Sequence, residues 1–441
     1  MVTFLNIKEY LSYSKKIFFL NFIIFLSIAA AIIGNFALNL VILTSLIFFV
    51  VLLIKKEFII TINKTYIVYF IIFKLFFLFN ILFSYNSLLS FNSYLGIIKN
   101  VLFVLVIYKV FEHNKKNESF FFFSLIILIF FFIFDTLVQF FFTYDLFGYP
   151  LQDSHGIRLS GPFGEEFVAG SFLSKILFLV ITYIHAGKKN NWVFKYFIIL
   201  LSNATIFLSG ERSAFLITAI SSLFFIFFDN RTQIKRKFLV FFFYLIIIFS
   251  TLFLNYKIYG ESEDKLLFTK YSFLFGYEFQ VISEKKNNSN LLIKRENYSL
   301  VQNFLDTRHG AHFLTGIEIF LDNKIFGAGL KSFRNICSNS KYDGINSLSA
   351  KERCNTHPHN IYIEFISELG IIGFAIILIL LLYIFIHILK KKDTPMIAYF
   401  FILFFPFQTT GSFFSSFNGF FYYIFFAYFI YRQKFCAIKK F

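Results

Sequence analysis

The chain has 441 residues, of which 58% are hydrophobic and only 15% charged, and its formal net charge is +17. This composition is too apolar for an ordinary soluble globular protein, so that class is excluded. The positive charge would suit a nucleic-acid partner only if the basic residues shared one accessible face. Their distribution along the chain contradicts that, and we expect a membrane protein that contacts lipid and no nucleic acid.

Apolar stretches of roughly membrane-spanning length follow one another along the chain and predict an all-α polytopic membrane protein with about twelve transmembrane helices. The expected spans are 17–34, 36–54, 65–84, 95–111, 120–142, 166–186, 192–209, 213–228, 238–256, 369–389, 395–409 and 417–431. We therefore divide the chain into 1–256 with spans one to nine, 257–358 as a periplasmic loop with interfacial helices, and 359–441 with spans ten to twelve. The first stretch lacks a small-residue cleavage pattern and is interpreted as a retained span.

Basic residues concentrate in alternate connections, which predicts that those connections and both termini are cytoplasmic. The basic residues of these connections are Lys55, Lys56, Lys64, Lys115, Lys116, Lys188, Lys189, Arg231, Lys235, Arg236, Lys237, Lys390, Lys391 and Lys392. Those of the two tails are Lys8, Lys15, Lys16, Arg432, Lys434, Lys439 and Lys440.

The connection 257–358 is long enough to indicate a functional or disordered segment. Its first half is polar, with Glu261 to Asp264 and Lys285 to Asn288 as examples. Its second half mixes apolar and polar side chains in a pattern that predicts an amphipathic helix at the membrane surface, between Phe304 and Phe320. Gly327-Ala328-Gly329 then predicts a turn.

Two of the three cysteines, Cys337 and Cys354, fall in this outer loop, and Cys436 falls in the cytoplasmic tail. We expect a disulfide between the first two in an oxidising periplasm, with two free thiols as the alternative. In the chain-entropy model, closing a loop of this size stabilises the folded state by roughly 3 kcal/mol.

The densest cluster of reactive side chains is Thr356-His357-Pro358-His359-Asn360, at the start of the tenth span. Thr356 or Asn355 can cap a helix, and Pro358 fits its first turn, so His359 is expected within that turn. The positive end of a helix favours a neutral imidazole and a nearby anion, which suits a general base. A capped interfacial turn and an adventitious metal site remain alternatives.

Four arginines map to the same outer face, namely Arg158, Arg212, Arg308 and Arg334. Guanidinium groups bind phosphate in a bidentate manner, so several of them near one histidine indicate a phosphorylated lipid. No Asp-x-Asp pair occurs on the predicted outer side, so we expect neither a metal nor another cofactor.

The run His359-Asn360, nine residues, Gly370, two residues, Gly373 resembles the motif of the O-antigen ligase family. Gly210-Glu211-Arg212-Ser213-Ala214 is similar to that family's second element. The stretches from Arg158 to Phe163 and from Arg308 to Phe333 also look like its periplasmic segments. This resemblance covers about residues 150–390.

The resemblance implies a metal-independent, inverting glycosyltransferase of the GT-C type in the bacterial inner membrane, with its active site on the periplasmic face. Its donor would be a glycan on undecaprenyl diphosphate and its acceptor lipid A-core or a growing glycan. By this analogy His359 is the catalytic base. Arg158, Arg212 and Arg308 bind the diphosphate, with Glu211, Arg334, His357 and Asn360 in supporting roles.

The family also contains polymerases that act on the same donor. We favour a ligase because of the His-Asn-Gly spacing, and because the positions eleven residues after Arg158 and Arg308 are Ala169 and Ile319, not the glycine of some polymerases.

A transporter or flippase is a further alternative, since ionisable residues inside spans are often functional. Lys74, Asp135 and Lys175 are the residues concerned, and we expect Asp135 to pair with a lysine of a neighbouring helix. No repeated halves are visible in the sequence, which disfavours this class.

Overall fold

A computed structural model of the chain describes residues 15–56, 64–151, 158–187, 191–259, 278–280, 291–293 and 300–438. Most of the polar first half of the predicted periplasmic loop lies outside these residues, including Glu261 to Asp264 and Lys285 to Asn288. Lys8, Lys188, Lys189, Lys439 and Lys440 also lie outside them. Between residues 260 and 299 the structure describes two short antiparallel strands, Glu278–Gln280 and Leu291–Ile293.

The described residues are predominantly helical, and each predicted span corresponds to one helix. The helices are α1 Lys15–Ile33, α2 Asn35–Ile54, α3 Lys64–Leu82, α4 Ser87–His113, α5 Lys115–Phe142, α6 Ala169–Ala186, α7 Trp192–Leu208, α8 Arg212–Phe228, α9 Ile234–Tyr259, α10 Leu300–Leu305, α11 Arg308–Asp322, α12 Phe333–Ile336, α13 Ile361–Lys390, α14 Thr394–Phe404 and α15 Ser416–Ile438. The predicted all-α polytopic class is confirmed. Helices satisfy their own backbone hydrogen bonds, which a chain inside lipid requires.

Seven of the described helices are long and apolar enough to cross a membrane, namely α1, α2, α4, α5, α6, α9 and α13. Four shorter apolar helical segments accompany them, Val68–Leu82, α7, α8 and α14. Helix α9 exposes Phe242, Phe249 and Phe253 by 59%, 66% and 67%. Apolar surface of this extent is stable against lipid and unfavourable against water, so the exposed faces support a membrane protein. The total of about twelve spans stays a prediction.

The described chain forms two compact units. Unit 1 comprises Met1–Ile126, Leu305–Ile384 and Thr409–Phe441, and unit 2 comprises Ile127–Phe304 and Phe385–Gln408. In unit 1, α1 packs on α2, and α4 packs on α15. Glu118 accepts hydrogen bonds from the hydroxyls of Tyr428 and Tyr431 at 3.2 and 2.9 Å, which joins the start of α5 to α15.

In unit 2, α6 packs on α7 and α14, and α7 packs on α9. At the end of α8 the buried carboxylate of Asp229 accepts hydrogen bonds from Lys195 at 2.5 Å and from Tyr196 at 2.9 Å. Asp135 accepts the backbone N–H of Leu146 at 3.0 Å through Oδ1, and its buried Oδ2 has no hydrogen-bond partner among the described residues. The predicted lysine partner of Asp135 is therefore wrong, because the carboxylate holds the loop after α5.

The helix that contains the tenth predicted span, 369–389, is longer than that span and has a cap other than the predicted one. Helix α13 starts at Ile361, and its cap is Asn360, whose Oδ1 accepts the N–H groups of Tyr362 and Ile363 at 2.9 and 3.1 Å. The prediction that Thr356 or Asn355 caps this helix is wrong, as is the placement of Pro358 and His359 in its first turn. Asparagine is among the best N-cap residues, and here it displaces the alternatives upstream.

The two glycines of the His-Asn-Gly run lie where α13 meets other segments of unit 1. Gly370 has φ +66° and ψ −171°, a conformation essentially restricted to glycine. A Cβ atom there would lie 2.4 Å from the carbonyl oxygen of Ile325. At Gly373 it would lie 2.5 Å from the ring of Phe76. This glycine spacing therefore permits a kink and close packing.

Replacing Gly370 by Ala is expected to destabilise the protein. The backbone conformation alone costs about 1–3 kcal/mol for a residue with a Cβ, and the contact with Ile325 adds to it. We expect a melting temperature at least about 3 °C lower in detergent. Gly344→Ala is the matched control, since a Cβ at Gly344 meets nothing within 4 Å. Equal melting temperatures for the two variants would contradict this account of the glycine.

Candidate active site

The segment before α13 folds into a tight turn that carries two histidines. His359 has a left-handed backbone, with φ +58°, and its carbonyl accepts the N–H of Thr410 at 2.7 Å. The imidazole of His357 donates from Nε2 to the carbonyl of Thr410 at 3.2 Å and accepts at Nδ1 from the hydroxyl of Thr356 at 2.9 Å. Both ring nitrogens of His357 are therefore used in holding the turn.

Helix α11 brings two further histidines to this turn. The ring centroids of His309 and His312 lie 4.9 and 5.0 Å from that of His359, and the ring of His357 lies 4.2 Å from it. The close approach depends on Gly316, where a Cβ would lie 2.4 Å from Cγ2 of Ile363. We refer to His309, His312, His357 and His359 as the histidine cluster.

Three members of the histidine cluster, His312, His357 and His359, are neutral at physiological pH. Burial, together with the smaller effects of the neighbouring rings and of Arg308, lowers the pKa of His359 to about 2. Burial likewise lowers the pKa values of His312 and His357 to about 4, although each donates to a backbone carbonyl. A neutral imidazole keeps one nitrogen lone pair, so the cluster can accept a proton or bind an electrophile.

The loop that faces α11 is fixed by covalent and hydrogen bonds. Nε2 of His312 donates to the carbonyl oxygen of Glu352 at 2.9 Å. Cys337 and Cys354 form a disulfide with their Cα atoms 5.2 Å apart. The hydroxyl of Ser349 donates to the carbonyl of Asp306 at 2.8 Å. These bonds join the loop to the start of α11 and fix the tautomer of His312.

Two buried carboxylates lie along the first turns of α13. Glu364 accepts the N–H of Phe413 at 2.7 Å and the hydroxyl of Ser412. Glu368 accepts the N–H of Lys331 at 2.6 Å. They therefore fix the two loops that pack against α13. Sequence reasoning missed both roles, although Glu364 and Glu368 follow Asn360 at intervals of four residues and so share one face of the helix.

The arginines predicted in unit 1 lie at its surface. The side chain of Arg308 is 61% exposed, and its Nε lies 3.9 Å from Oε2 of Glu352. This long contact leaves most of the guanidinium accessible to an anion. Arg334 is also exposed, and its charge helps to lower the pKa of His357, although burial of that histidine has the larger effect. Both arginines are thus close enough to act electrostatically on the cluster.

Unit 2 holds the other predicted residues. Glu211 accepts the N–H groups of Gly170 and Ser171, the first residues of α6, at 2.5 and 3.1 Å. The guanidinium of Arg158 lies 5.5 Å from the ring centre of Phe167, and its buried Nε has no hydrogen-bond partner among the described residues. Arg212 is exposed at the first position of α8. Glu211 therefore accepts hydrogen bonds that hold the start of α6. Two cations, Arg158 and Lys175, are close enough to lower its pKa.

Glu211 predicts a pH-dependent stability. Burial raises its pKa to about 7, against the opposing effect of the two N–H groups and nearby cations. The folded protein then holds a proton that the unfolded chain has released, so this stabilisation is complete below about pH 4.3 and is lost as pH rises through about 7. The melting temperature of the wild type minus that of Glu211→Gln should therefore fall as pH rises from about 4.3 to about 7.

Glu165→Gln removes an exposed carboxyl and is the control. A difference for Glu211→Gln that does not vary with pH would refute the assignment.

Residues 196–378 match a protein-family model described as O-antigen ligase. The matched range includes Glu211, Arg212, Arg308, the disulfide and the whole histidine cluster, and it excludes Arg158. No curated protein sequence matches the chain. The matched range contains the His-Asn-Gly run and the segments around Arg212 and Arg308 that carried the resemblance, but not the stretch from Arg158 to Phe163. The multiple apolar helices agree with a membrane protein. Residues 196–378 are accordingly similar to the O-antigen ligase family, in a chain whose apolar helices are those of a membrane protein.

Proposed function

We propose that this protein is an O-antigen ligase, which moves a polysaccharide from undecaprenyl diphosphate to lipid A-core on the periplasmic face of the bacterial inner membrane. The observation that carries the proposal is the half-buried, neutral His359 in the turn before α13, inside the matched range. A polymerase of the same family, which would extend the lipid-linked glycan, is the second candidate because it uses the same donor and the same base.

In the proposed reaction His359 accepts the proton of an acceptor hydroxyl. The hydroxyl oxygen then bonds to the anomeric carbon of the donor, and the bond from that carbon to the diphosphate oxygen breaks. The products are the glycosylated acceptor, with inverted configuration, and undecaprenyl diphosphate. Nε2 of His359 supports this role, since it has no hydrogen-bond partner among the described residues. A bound diphosphate anion raises the basicity of nearby imidazoles and so counteracts the effect of burial.

The departing diphosphate needs its developing negative charge neutralised, which guanidinium groups do well. Following the family resemblance, we assign this function to Arg158, Arg212 and Arg308. The exposure of Arg308 supports its part in the proposal, since it is accessible to a ligand. By the same resemblance the reaction proceeds without a metal ion.

A transporter would need ionisable groups along a path through the helices. Asp135, the acidic candidate for such a path, is occupied in part by the N–H of Leu146. The histidine cluster instead lies outside the membrane-spanning helices, on α11 and on the turn before α13. This placement favours chemistry at the membrane surface over translocation.

Replacing His359 by Ala is expected to abolish glycan transfer while the protein stays in the membrane. The test is complementation of a bacterial strain that lacks its own ligase, read as polymer attached to lipid A-core. Growth of undecaprenyl-linked polymer in place of attachment would indicate the polymerase. His113→Ala, in the last turn of α4, is the matched control and should retain activity. Full activity of His359→Ala would refute the proposed base.

Arg308→Ala should lower the transfer rate by about 10²- to 10³-fold, as expected for the loss of one group that stabilises developing charge. The measurement is the initial rate with purified protein and lipid-linked donor. Lys351→Ala removes an exposed cation from the same loop and serves as control, with an expected rate close to that of the wild type. A rate for Arg308→Ala within twofold of this control would remove Arg308 from the diphosphate site. The rates of Arg158→Ala and Arg212→Ala are compared with the same control.

A further inference from the structure

Three members of the histidine cluster are arranged as metal ligands. The ring nitrogens of His309, His312 and His359 that face one another all lie within 4.8 Å. Zinc binds imidazole nitrogen at about 2.0–2.1 Å with tetrahedral geometry, which places ligand nitrogens about 3.4 Å apart. Rotation of the rings by small side-chain adjustments covers the difference. The spacing therefore suits one ion held by three histidines.

The hydrogen bonds of His312 leave it in the right protonation state to bind a metal. Its Nε2 donates to the carbonyl of Glu352, so in the neutral ring the lone pair is on Nδ1. Nδ1 is buried and has no hydrogen-bond partner within the described part of the chain. A histidine that ligates metal almost always donates its other ring N–H to a carbonyl, carboxylate or water in this manner.

His359 adds a second buried nitrogen of the same kind. Its Nε2 lacks a hydrogen-bond partner among the residues that the structure describes. A buried polar atom left without a partner is costly, and a metal ion would satisfy it. His357 differs, since both of its nitrogens are bonded to Thr356 and Thr410. The cluster thus divides into three ligands and one residue that holds the turn.

The backbone that carries these rings is held in place, which favours metal binding further. His309 and His312 lie in successive turns of the same helix, one helical turn apart in α11. The disulfide and the bond from Ser349 to Asp306 hold the loop that supplies the carbonyl of Glu352. Arg308 is the nearby cation that would oppose an ion, but its side chain is largely exposed and lies 3.9 Å from a carboxylate.

We infer that His309, His312 and His359 form a binding site for one divalent transition metal ion such as Zn²⁺, with a fourth position open to water. A bound ion would take the lone pair of His359 that accepts the proton in the proposed reaction. The site would then switch the enzyme off, and removal of the ion would restore the base. This second step rests on the proposed function, whereas the binding of the ion does not.

Metal binding is tested with Co²⁺ on the detergent-purified full chain after treatment with a chelator. Tetrahedral Co²⁺ absorbs strongly in the visible range, and we expect this spectrum at one equivalent, with Zn²⁺ displacing it. His309→Ala and His312→Gln should weaken the affinity for Co²⁺ by at least about 100-fold. Losing a ligand costs at least as much affinity as losing a residue that hydrogen-bonds to a ligand. Glutamine can still donate to Glu352, which guards against loss of the fold.

The control is His113→Ala, in the last turn of α4, which should keep the spectrum because His113 lies outside the histidine cluster. Absence of the spectrum in the wild type, or equal affinity in His312→Gln, would overturn the site. Inhibition is measured separately as transfer activity of the chelated wild type against added Zn²⁺. If activity is half lost at the Zn²⁺ concentration that half-fills the site, the switch is supported. Activation by Zn²⁺ overturns it. A chelated wild type that binds Co²⁺ normally but transfers no glycan would refute the proposed function and leave the metal site intact.

Discussion

The histidine cluster depends on one close contact, between α11 and the start of α13. Gly316 allows it, since a Cβ there would lie 2.4 Å from Cγ2 of Ile363 and 3.5 Å from Cβ of Pro358. Without this approach His309 and His312 would not reach His359. The cap at Asn360 and the bond from Thr410 to His359 then fix where the turn ends and which way it faces. A reactive imidazole is thus positioned by backbone geometry, which tolerates little change.

Burial and proximity give the cluster its chemical character. Imidazoles packed together and removed from water lose their tendency to charge, so they stay neutral and keep lone pairs. Neutrality suits both a base and a metal ligand, which is why one residue, His359, has a place in both proposals. The surrounding carboxylates, Glu364 and Glu368, are occupied by backbone N–H groups and stabilise the scaffold of the site.

Much of the fold was predictable, because apolar runs of this length indicate helices in lipid. Local detail was harder. Thr356, Asn355 and Asn360 are all acceptable caps, and only tertiary hydrogen bonds to Thr410 decide among them. The cluster was half predictable: His357 and His359 are close in sequence, whereas His309 and His312 join them through contacts some fifty residues apart. The packing role of Gly370 and Gly373 could not be predicted from their spacing, because the segments that they contact, around Ile325 and Phe76, are distant in sequence.

The central claim is that His359 serves glycan transfer from a lipid diphosphate. Its most direct test is a reaction in proteoliposomes with purified protein, an undecaprenyl-diphosphate-linked glycan and lipid A-core, in which both glycosylated acceptor and released undecaprenyl diphosphate are measured. The two products should appear in equal amounts with the wild type, and neither should appear with His359→Ala. Intact donor moved across the bilayer, or transfer that persists in His359→Ala, would contradict it.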